Sequence, residues 1–449
     1  MKFLLVHPPM DGAEPPTRRT ENLGLAYIAA VLRRDGHEVE MLDGFLRRLK
    51  RKQFVQEILK RDFDCLGITA YDVHKKITIR IAREVRRRRP NAIICAGGYF
   101  PTFWAEQLLT ACPELDFVVR GEGEWVVSEV FGRMSRGEEW RDVPGVAYLK
   151  DGLPVLNPLP PPITDLDSLP LAARDEFARM PPGDPALMLS SRGCCHRCSF
   201  CSISNFYALS GAHVPRSRDP KKVVDELEYM VQTIGVREFV FADDNFIGPG
   251  AKNMDRAMRF VEEMKARKLE ITFTIECRVD EADENVLRAL MEVGLVRVFM
   301  GLESGVQTQL DRYNKRISVE QSKQVITMMR ELGLVLHFGF IMIDPYVTMD
   351  ELLANLDFVR EMKLSESSTI PLDFMRKLGI YGGMPLTEKL RADGLLRERG
   401  FDRTYVFKDP TFRFAYGALW ALSAPFRWLS LARIHVSNAL SSNKVREHP

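Results

Sequence analysis

Over the first 140 residues, short apolar runs alternate with longer segments in which apolar residues recur at three- and four-residue steps. The runs KFLLVH (2–7), EVEMLD (38–43), CLGIT (65–69), AIICA (92–96) and FVVR (117–120) read as buried strands. Segments between them, such as NLGLAYIAAVLRRDG, carry the helical period and end at a glycine. This β–α alternation over 1–140 predicts a doubly wound parallel α/β sheet with a ligand at the carboxyl ends of its strands.

From 141 to 184 both periods disappear. LNPLPPPITDLDSLPLAARDEF is rich in proline and reads as a surface linker. Alternation resumes at 185 with ALMLSS (186–191), REFVFA (237–242), EITFTIE (270–276), VRVFM (296–300), LVLHFGFIMI (334–343) and TIPLDFM (369–375). Asp219-Pro220 supplies an N-cap and first-turn proline for the helix that Gly235 closes. Six βα units over 185–385 predict a partial (β/α)6 barrel with its chemistry at the carboxyl ends of the strands. Residues 386–449 are expected to form a mainly helical C-terminal cap. Its apolar tract, with flanking arginines over 414–433, reads as a closing helix in preference to a membrane-surface element.

Composition narrows the function. The chain has 449 residues, 45% hydrophobic and 28% charged, and its 63 basic residues nearly cancel 61 acidic ones. Nucleic-acid binding normally shows a basic excess, so no nucleic-acid partner is expected. The start MKFLLVHPPM lacks the apolar length of a signal segment, and a cytoplasmic setting is expected. Thiols stay reduced there, so clustered cysteines point to a metal or redox centre.

Such a cluster follows the first barrel strand. In RGCCHRCSFC (192–201), Cys194, Cys198 and Cys201 have the spacing C-x3-C-x2-C. A structural zinc site needs four protein ligands, usually in two pairs, and no C-x2-C occurs outside this stretch; Cys65, Cys95, Cys112 and Cys277 fall on predicted strands or a helix. Three thiolates suit a [4Fe–4S] cluster with one iron left open, with Cys195 and His196 as spacers.

With Phe200 before the last cysteine, the motif resembles the signature of radical S-adenosylmethionine enzymes. The resemblance implies that the open iron chelates S-adenosylmethionine. An electron from an external donor of flavodoxin or ferredoxin type then releases a 5′-deoxyadenosyl radical. FADDNF (241–246), ECRVD (276–280), GLESG (301–305) and GFIMIDP (339–345) resemble the family at matching strand ends. They make Arg278 a candidate for the cofactor's carboxylate, and Asp243 and Glu303 candidates for its ammonium or ribose hydroxyls. The family's glycine-rich element after the second strand is replaced by Asp243-Asp244-Asn245.

The N-terminal domain in turn resembles the flavodoxin-like cobalamin-binding modules of the subgroup that joins the two. VHPP, AGGYFPT (96–102) and VVRGEGE (118–124) carry that likeness, with Gly97 and Gly98 letting a bulky tail approach the backbone. The D-x-H-x-x-G element that supplies a cobalt-binding histidine is absent after strand one. DGHEVE (35–40) sits at the wrong end of the sheet, and DVHKKI (72–77) lacks the glycine. Cobalt is therefore expected without a protein histidine, with the 69–74 loop beneath the corrin ring. The resemblance implies a cobalamin-dependent radical enzyme, foremost a methyltransferase acting on an unactivated carbon of a small-molecule or natural-product substrate. Its rivals are ring closure or oxidation of the anaerobic porphyrin-cyclase kind, polar methyl transfer by the corrin alone, and a non-catalytic corrin or redox sensor. RRRR (86–89) reads as a solvated helix end, Cys277 as a buried strand residue and YGGMPL (381–386) as a turn.

Overall fold

Strands β1 (Lys2–His7), β2 (Glu38–Asp43), β3 (Cys65–Thr69), β4 (Ile93–Gly97) and β5 (Phe117–Val119) form a parallel sheet in the order β2-β1-β3-β4-β5. The computed structural model that shows this describes residues 1–10, 19–180, 183–364 and 377–422. Strand order reverses between β1 and β3, which places a ligand crevice at their carboxyl ends. Helices cover both faces. Leu4, Val6, Leu66, Ile68 and Ile94 pack on one side, and Phe3, Leu5, Cys65, Cys95 and Phe117 on the other. Burial on two faces is why these strands read as continuous apolar runs.

The expected linker contributes more than a connection. β6 (Val146–Lys150) pairs antiparallel with β5, and β7 (Leu153–Leu156) antiparallel with β6, so the first domain's sheet runs past residue 140 to Leu156. Val146 and Ala147 are fully buried against it. The hairpin turns at Asp151-Gly152, both at positive φ, and its short apolar run was masked by the prolines that follow.

The second domain begins at β8 (Ala186–Met188), followed by the short antiparallel pair β9 (Ser191–Arg192) and β10 (Arg216–Ser217). β11 (Glu238–Phe241), β12 (Thr272–Cys277), β13 (Leu295–Glu303) and β14 (Val335–Phe340) complete a parallel sheet in the order β14-β13-β12-β11-β8. The sixth expected strand, 369–375, lies outside the described residues. Ile275, Cys277, Val298, Met300, Leu302 and Leu336 join the core between sheet and helices. Thr274, Glu276, Arg297, Phe299, Gly301 and His337 alternate with them onto the opposite, inner face. Cys277 is thus a core residue, as expected. Asp219 caps the helix Pro220–Ile234 by accepting from Lys221 N, and Gly235 ends it at φ 79°.

The C-terminal segment departs from the mainly helical expectation. Between the helices Leu386–Ala392 and Pro410–Leu422 lies the hairpin β15 (Leu396–Arg399) and β16 (Asp402–Tyr405). Its strands are largely charged, so no apolar alternation announced them. Phe407, Phe412 and Tyr416 cluster at the start of the last helix, whereas Phe414 is 80% exposed. The apolar tract beyond 422 lies outside the described residues. Among those residues no helix is long and apolar enough to cross a membrane.

Buried ion pairs join the domains through the 157–184 segment. The Arg174 guanidinium bonds Glu21 from the first domain, Glu226 at 3.1 Å from the second and the Leu187 carbonyl at 2.9 Å. Arg218 also reaches Glu226 (2.6 Å) and Asp167 (3.1 Å). Replacing Arg174 with methionine leaves Glu21 buried without its cation. The expected cost is about 3–5 kcal/mol, read as a lowered midpoint in chemical denaturation.

Candidate active site between the two domains

The cysteine loop is held from three directions. Gly193, at φ 94°, donates its N–H to Asp244 Oδ2 at 2.8 Å. Ser199 donates N–H to the Tyr313 carbonyl at 2.8 Å and Oγ–H to the Arg312 carbonyl at 3.1 Å. The Ser199 carbonyl accepts from Leu386 N at 2.8 Å, and the Arg197 carbonyl from Asn314 Nδ2 at 2.8 Å. Phe200 meets the Tyr313 ring edge-on at 5.4 Å.

On this frame Cys198 is buried and Cys194 and Cys201 are partly exposed. Burial pushes the Cys194 thiol up to about 12 and that of Cys201 to about 11. Such thiols stay neutral unless a metal draws off their protons, which is the condition an iron–sulfur cluster supplies. Among the described residues no three His, Cys, Asp or Glu side chains converge on a single ion. Thiolates on separate corners of a cube have no need to converge in that way. Positive charge is close by: Arg278 Nη1 lies 3.7 Å from Cys198 Sγ, and Lys315 Nζ lies 5.9 Å from the Phe200 ring centroid. His196 is turned away, its Nε2 2.7 Å from Glu281 Oε1, and Asn245 holds the other Glu281 oxygen.

The three candidate contacts for S-adenosylmethionine already have protein partners. Asp243 is 1% exposed and accepts from Ser190 N (3.0 Å), Ser190 Oγ (2.6 Å) and Ser191 Oγ (2.5 Å). Arg278 bonds Asp280 (2.9 and 3.1 Å) and the Lys315 carbonyl (2.6 Å). Glu303 pairs with Lys315 Nζ at 3.0 Å from a backbone at φ 63°. A β-carbon on Gly301 would fall 2.2 Å from Glu303 Oε1, so that glycine makes room for the pair. Each of these strand-end charges thus has a protein partner, and Arg278 also lies against Cys198. Sequence reading did not single out Lys315, which no recognised motif contains.

The first domain supplies the cradle. A cavity of about 320 Å³ runs from Phe3, Leu5 and Cys95 on the sheet past Gly97 and Gly98 to Leu189 and Ala242 of the barrel. Gly98 has φ 97°, and a β-carbon there would lie 3.1 Å from the Ala70 carbonyl oxygen. The cavity is mostly apolar, and Gly97, Gly98, Gly121 and Gly123 leave part of its edge as bare backbone. It fits a ligand that inserts a tail into the sheet domain and turns its head to the barrel.

The 69–74 loop presents Tyr71 (43% exposed), while His74 is 1% exposed behind it. Burial and the nearby His7 hold His74 down to about 3, and neither Nε2 of the two rings has a partner. Asp43 binds His7 Nδ1 at 3.1 Å.

Two further motifs find their purpose in this contact. Glu122 and Glu124 of VVRGEGE take Arg192 at 2.9 and 2.6 Å, and Glu122 also takes Arg216 at 2.7 Å. Arg192 opens the cysteine motif, so the cluster loop is bolted to the first domain. In YGGMPL the Gly383 carbonyl accepts from Asn205 at 2.7 Å, and a β-carbon on Gly383 would lie 2.2 Å from the Phe103 ring. That turn therefore closes over the cluster loop and the first domain together.

A doubly wound domain with a glycine-edged cavity, facing a barrel that carries three thiols on one loop, is the architecture that the resemblance to cobalamin-binding radical enzymes implies. The comparisons agree. Residues 16–131 match the B12 binding domain family and residues 188–359 the Radical SAM superfamily. The uncharacterized methyltransferase PH0819 of Pyrococcus horikoshii is 30% identical over 420 residues, covering 92% of this chain and 88% of that protein. The anaerobic magnesium-protoporphyrin IX monomethyl ester cyclase of Rubrivivax gelatinosus is 32% identical over 363 residues, 76% of this chain and 62% of its own. The fold matches that of the cobalamin-dependent S-adenosylmethionine radical enzyme OxsB, solved with aqua-cobalamin and S-adenosylmethionine. The TM-score is 0.77 at 20% identity, over 94% of this chain and 66% of that one. The chain belongs to the cobalamin-binding radical S-adenosylmethionine enzymes, whose cofactors are cobalamin, a [4Fe–4S] cluster and S-adenosylmethionine.

Glu276, on the inner face of β12, is pushed up to about 7 by burial and by the Asp244 and Asp243 carboxylates. A carboxyl raised from 4.5 binds more protons folded than unfolded, so its contribution to stability falls as pH rises from about 4.5 through about 7. Urea midpoints should match for wild type and Glu276→Gln below that window, with the variant higher at pH 8.

Proposed function

We propose that this enzyme transfers a methyl group to an unactivated carbon of a small molecule. The observation that carries this is the glycine-edged cavity between the domains, whose lining reaches Arg192, two residues before the first cysteine of the three-thiol loop. The methyltransferase relative also matches this chain nearly end to end, whereas the cyclase is a longer protein. When bound, the cluster supplies the electron that turns S-adenosylmethionine into a hydrogen-abstracting radical, and cobalamin supplies the methyl group.

The residues have separable tasks. Cys194, Cys198 and Cys201 hold the cluster, while Arg278 and Lys315 offset the charge of its thiolates. Phe200 covers the cluster loop against Tyr313. Gly97 and Gly98 let the corrin tail reach the backbone, and the 69–74 loop lies on the corrin side of the sheet. The Arg192 and Arg216 pairs with Glu122 and Glu124 fix the distance between cofactors and exclude water from between them. An external one-electron donor completes the cycle.

Alanine at Cys194, Cys198 or Cys201 should abolish bound iron and sulfide in anaerobically purified protein. Alanine at Cys195 should retain both, and the corrin absorption spectrum should persist in all four variants. In turnover, methylation yields S-adenosylhomocysteine together with 5′-deoxyadenosine. Deoxyadenosine without S-adenosylhomocysteine would support the cyclase-type reaction and overturn methyl transfer. Methylated product without deoxyadenosine would leave the corrin acting alone.

A further inference from the structure

The outer surface of the cysteine loop carries two cations that the fold does not use. Arg197 is exposed and lies inside the C-x3-C stretch, one residue before the buried Cys198. Arg316 is exposed on the segment 312–316 that backs the loop. Ser199 ties loop to segment by donating to the Tyr313 and Arg312 carbonyls. The Asn314 amide then joins the two arginines: its Nδ2 donates to the Arg197 carbonyl at 2.8 Å, and its Oδ1 accepts from Arg316 Nε at 3.3 Å. Asn314 and Arg316 both hold left-handed backbones, at φ 50° and 58°. That conformation is costly for residues with a β-carbon and persists where the surroundings impose it. Lys315, between them, is turned inward to Glu303, while Arg316 stays outside.

Among the described residues neither guanidinium has a carboxylate partner. The acids around the loop are already taken. Glu281 holds His196 and Asn245, and Asp280 holds Arg278. Glu388, on the helix Leu386–Ala392 whose first N–H reaches the Ser199 carbonyl, holds Arg391. Exposed arginines elsewhere on the barrel do find acids: Arg288 pairs with Glu284, and Arg360 with Asp357. Exposed pairs of that kind add little stability, so leaving Arg197 and Arg316 open costs the fold little and keeps a positive field over the loop. One peptide unit separates Arg197 from Cys198. The loop thus presents fixed, unneutralised positive charge at the point where its buried thiol comes closest in the chain to solvent.

We propose that Arg197 and Arg316 form the docking point for the external electron donor, a small carrier protein with carboxylates around its redox centre. The proposal rests on Cys194, Cys198 and Cys201 holding the cluster and names the partner of that site; it does not depend on methyl transfer. Electron-transfer encounters use small, charge-matched interfaces, so two positioned cations with no competing acid suffice to steer and orient such a carrier. In the encounter the reduced carrier loses one electron and the bound cluster gains it, and no covalent bond forms or breaks.

Rapid-freeze electron paramagnetic resonance of the reconstituted holoenzyme, following the reduced cluster after mixing with flavodoxin hydroquinone, tests this. At low ionic strength Arg197→Gln and Arg316→Gln should each slow reduction about fivefold and the double variant by more than about tenfold, with Arg197→Lys keeping most of the rate. Methyl viologen radical, a small cation, should reduce wild type and variants at the same rate. Iron and sulfide contents equal to wild type report that the loop is intact. The wild-type protein supplies an arm that needs no variant: its rate with flavodoxin should fall about tenfold between low and physiological ionic strength, and its rate with viologen should not. A flavodoxin rate that is unchanged in the double variant, or indifferent to salt in wild type, overturns the proposal. Equal slowing with flavodoxin and viologen also overturns it, by assigning the arginines to the cluster's own environment. Loss of iron and sulfide from wild type itself counts against the cluster assignment, which keeps the two failures distinct.

Discussion

The buried contact between Arg192, Arg216 and the carboxylates of Glu122 and Glu124 sets the geometry on which the rest of the molecule depends. Taking such charges out of water is costly, and well-packed apolar residues would often be as stable. A guanidinium gripping carboxylates adds direction: it fixes orientation as well as proximity. Arg192 is two residues before the first cluster cysteine, and Glu122 ends the turn after the last parallel strand of the first domain. A single contact therefore fixes the cluster loop relative to the corrin cavity. The Arg174 group and the Gly382–Gly383 turn repeat the constraint at two further points.

That rigidity explains several local choices. Around the cavity between the domains the lining is mostly apolar, and the charges of Arg192, Glu122 and Glu124 are paired. Gly97 and Gly98 leave the backbone bare where a large ligand must approach. Gly301 gives up its side chain so that Lys315 can reach Glu303 beside the thiols. Most acids in the site are spent on structure: Asp243 on two serines, Glu281 on His196 and Asn245, Asp280 on Arg278.

Much of this was legible along the chain, and the reason is locality. Parallel strands buried on two faces are apolar throughout, so the run 65–69 announced itself without knowledge of its neighbours. The hairpins at 146–156 and 396–405 did not, since one is brief and hemmed in by proline and the other is mostly charged. The loop carrying Cys194, Cys198 and Cys201 was readable because its three thiols lie close together in the chain at a characteristic spacing. Asp243, Arg278 and Glu303 were correctly placed at strand ends, but a strand-end charge serves equally to bind a ligand or to brace a loop. Only the positions of Ser190, Asp280 and Lys315 show that each is already engaged.

The sequence by itself determined the two-domain α/β plan, the three-thiol loop and the class of chemistry, because these rest on periodicity and on contacts between residues close in the chain. The tertiary structure alone decided which charges meet across the domain boundary. It also decided that His74 is sealed behind Tyr71. Partners such as Arg192 and Glu124 lie 68 residues apart. No local pattern encodes a pairing at that distance; it follows from how two separately folded cores dock.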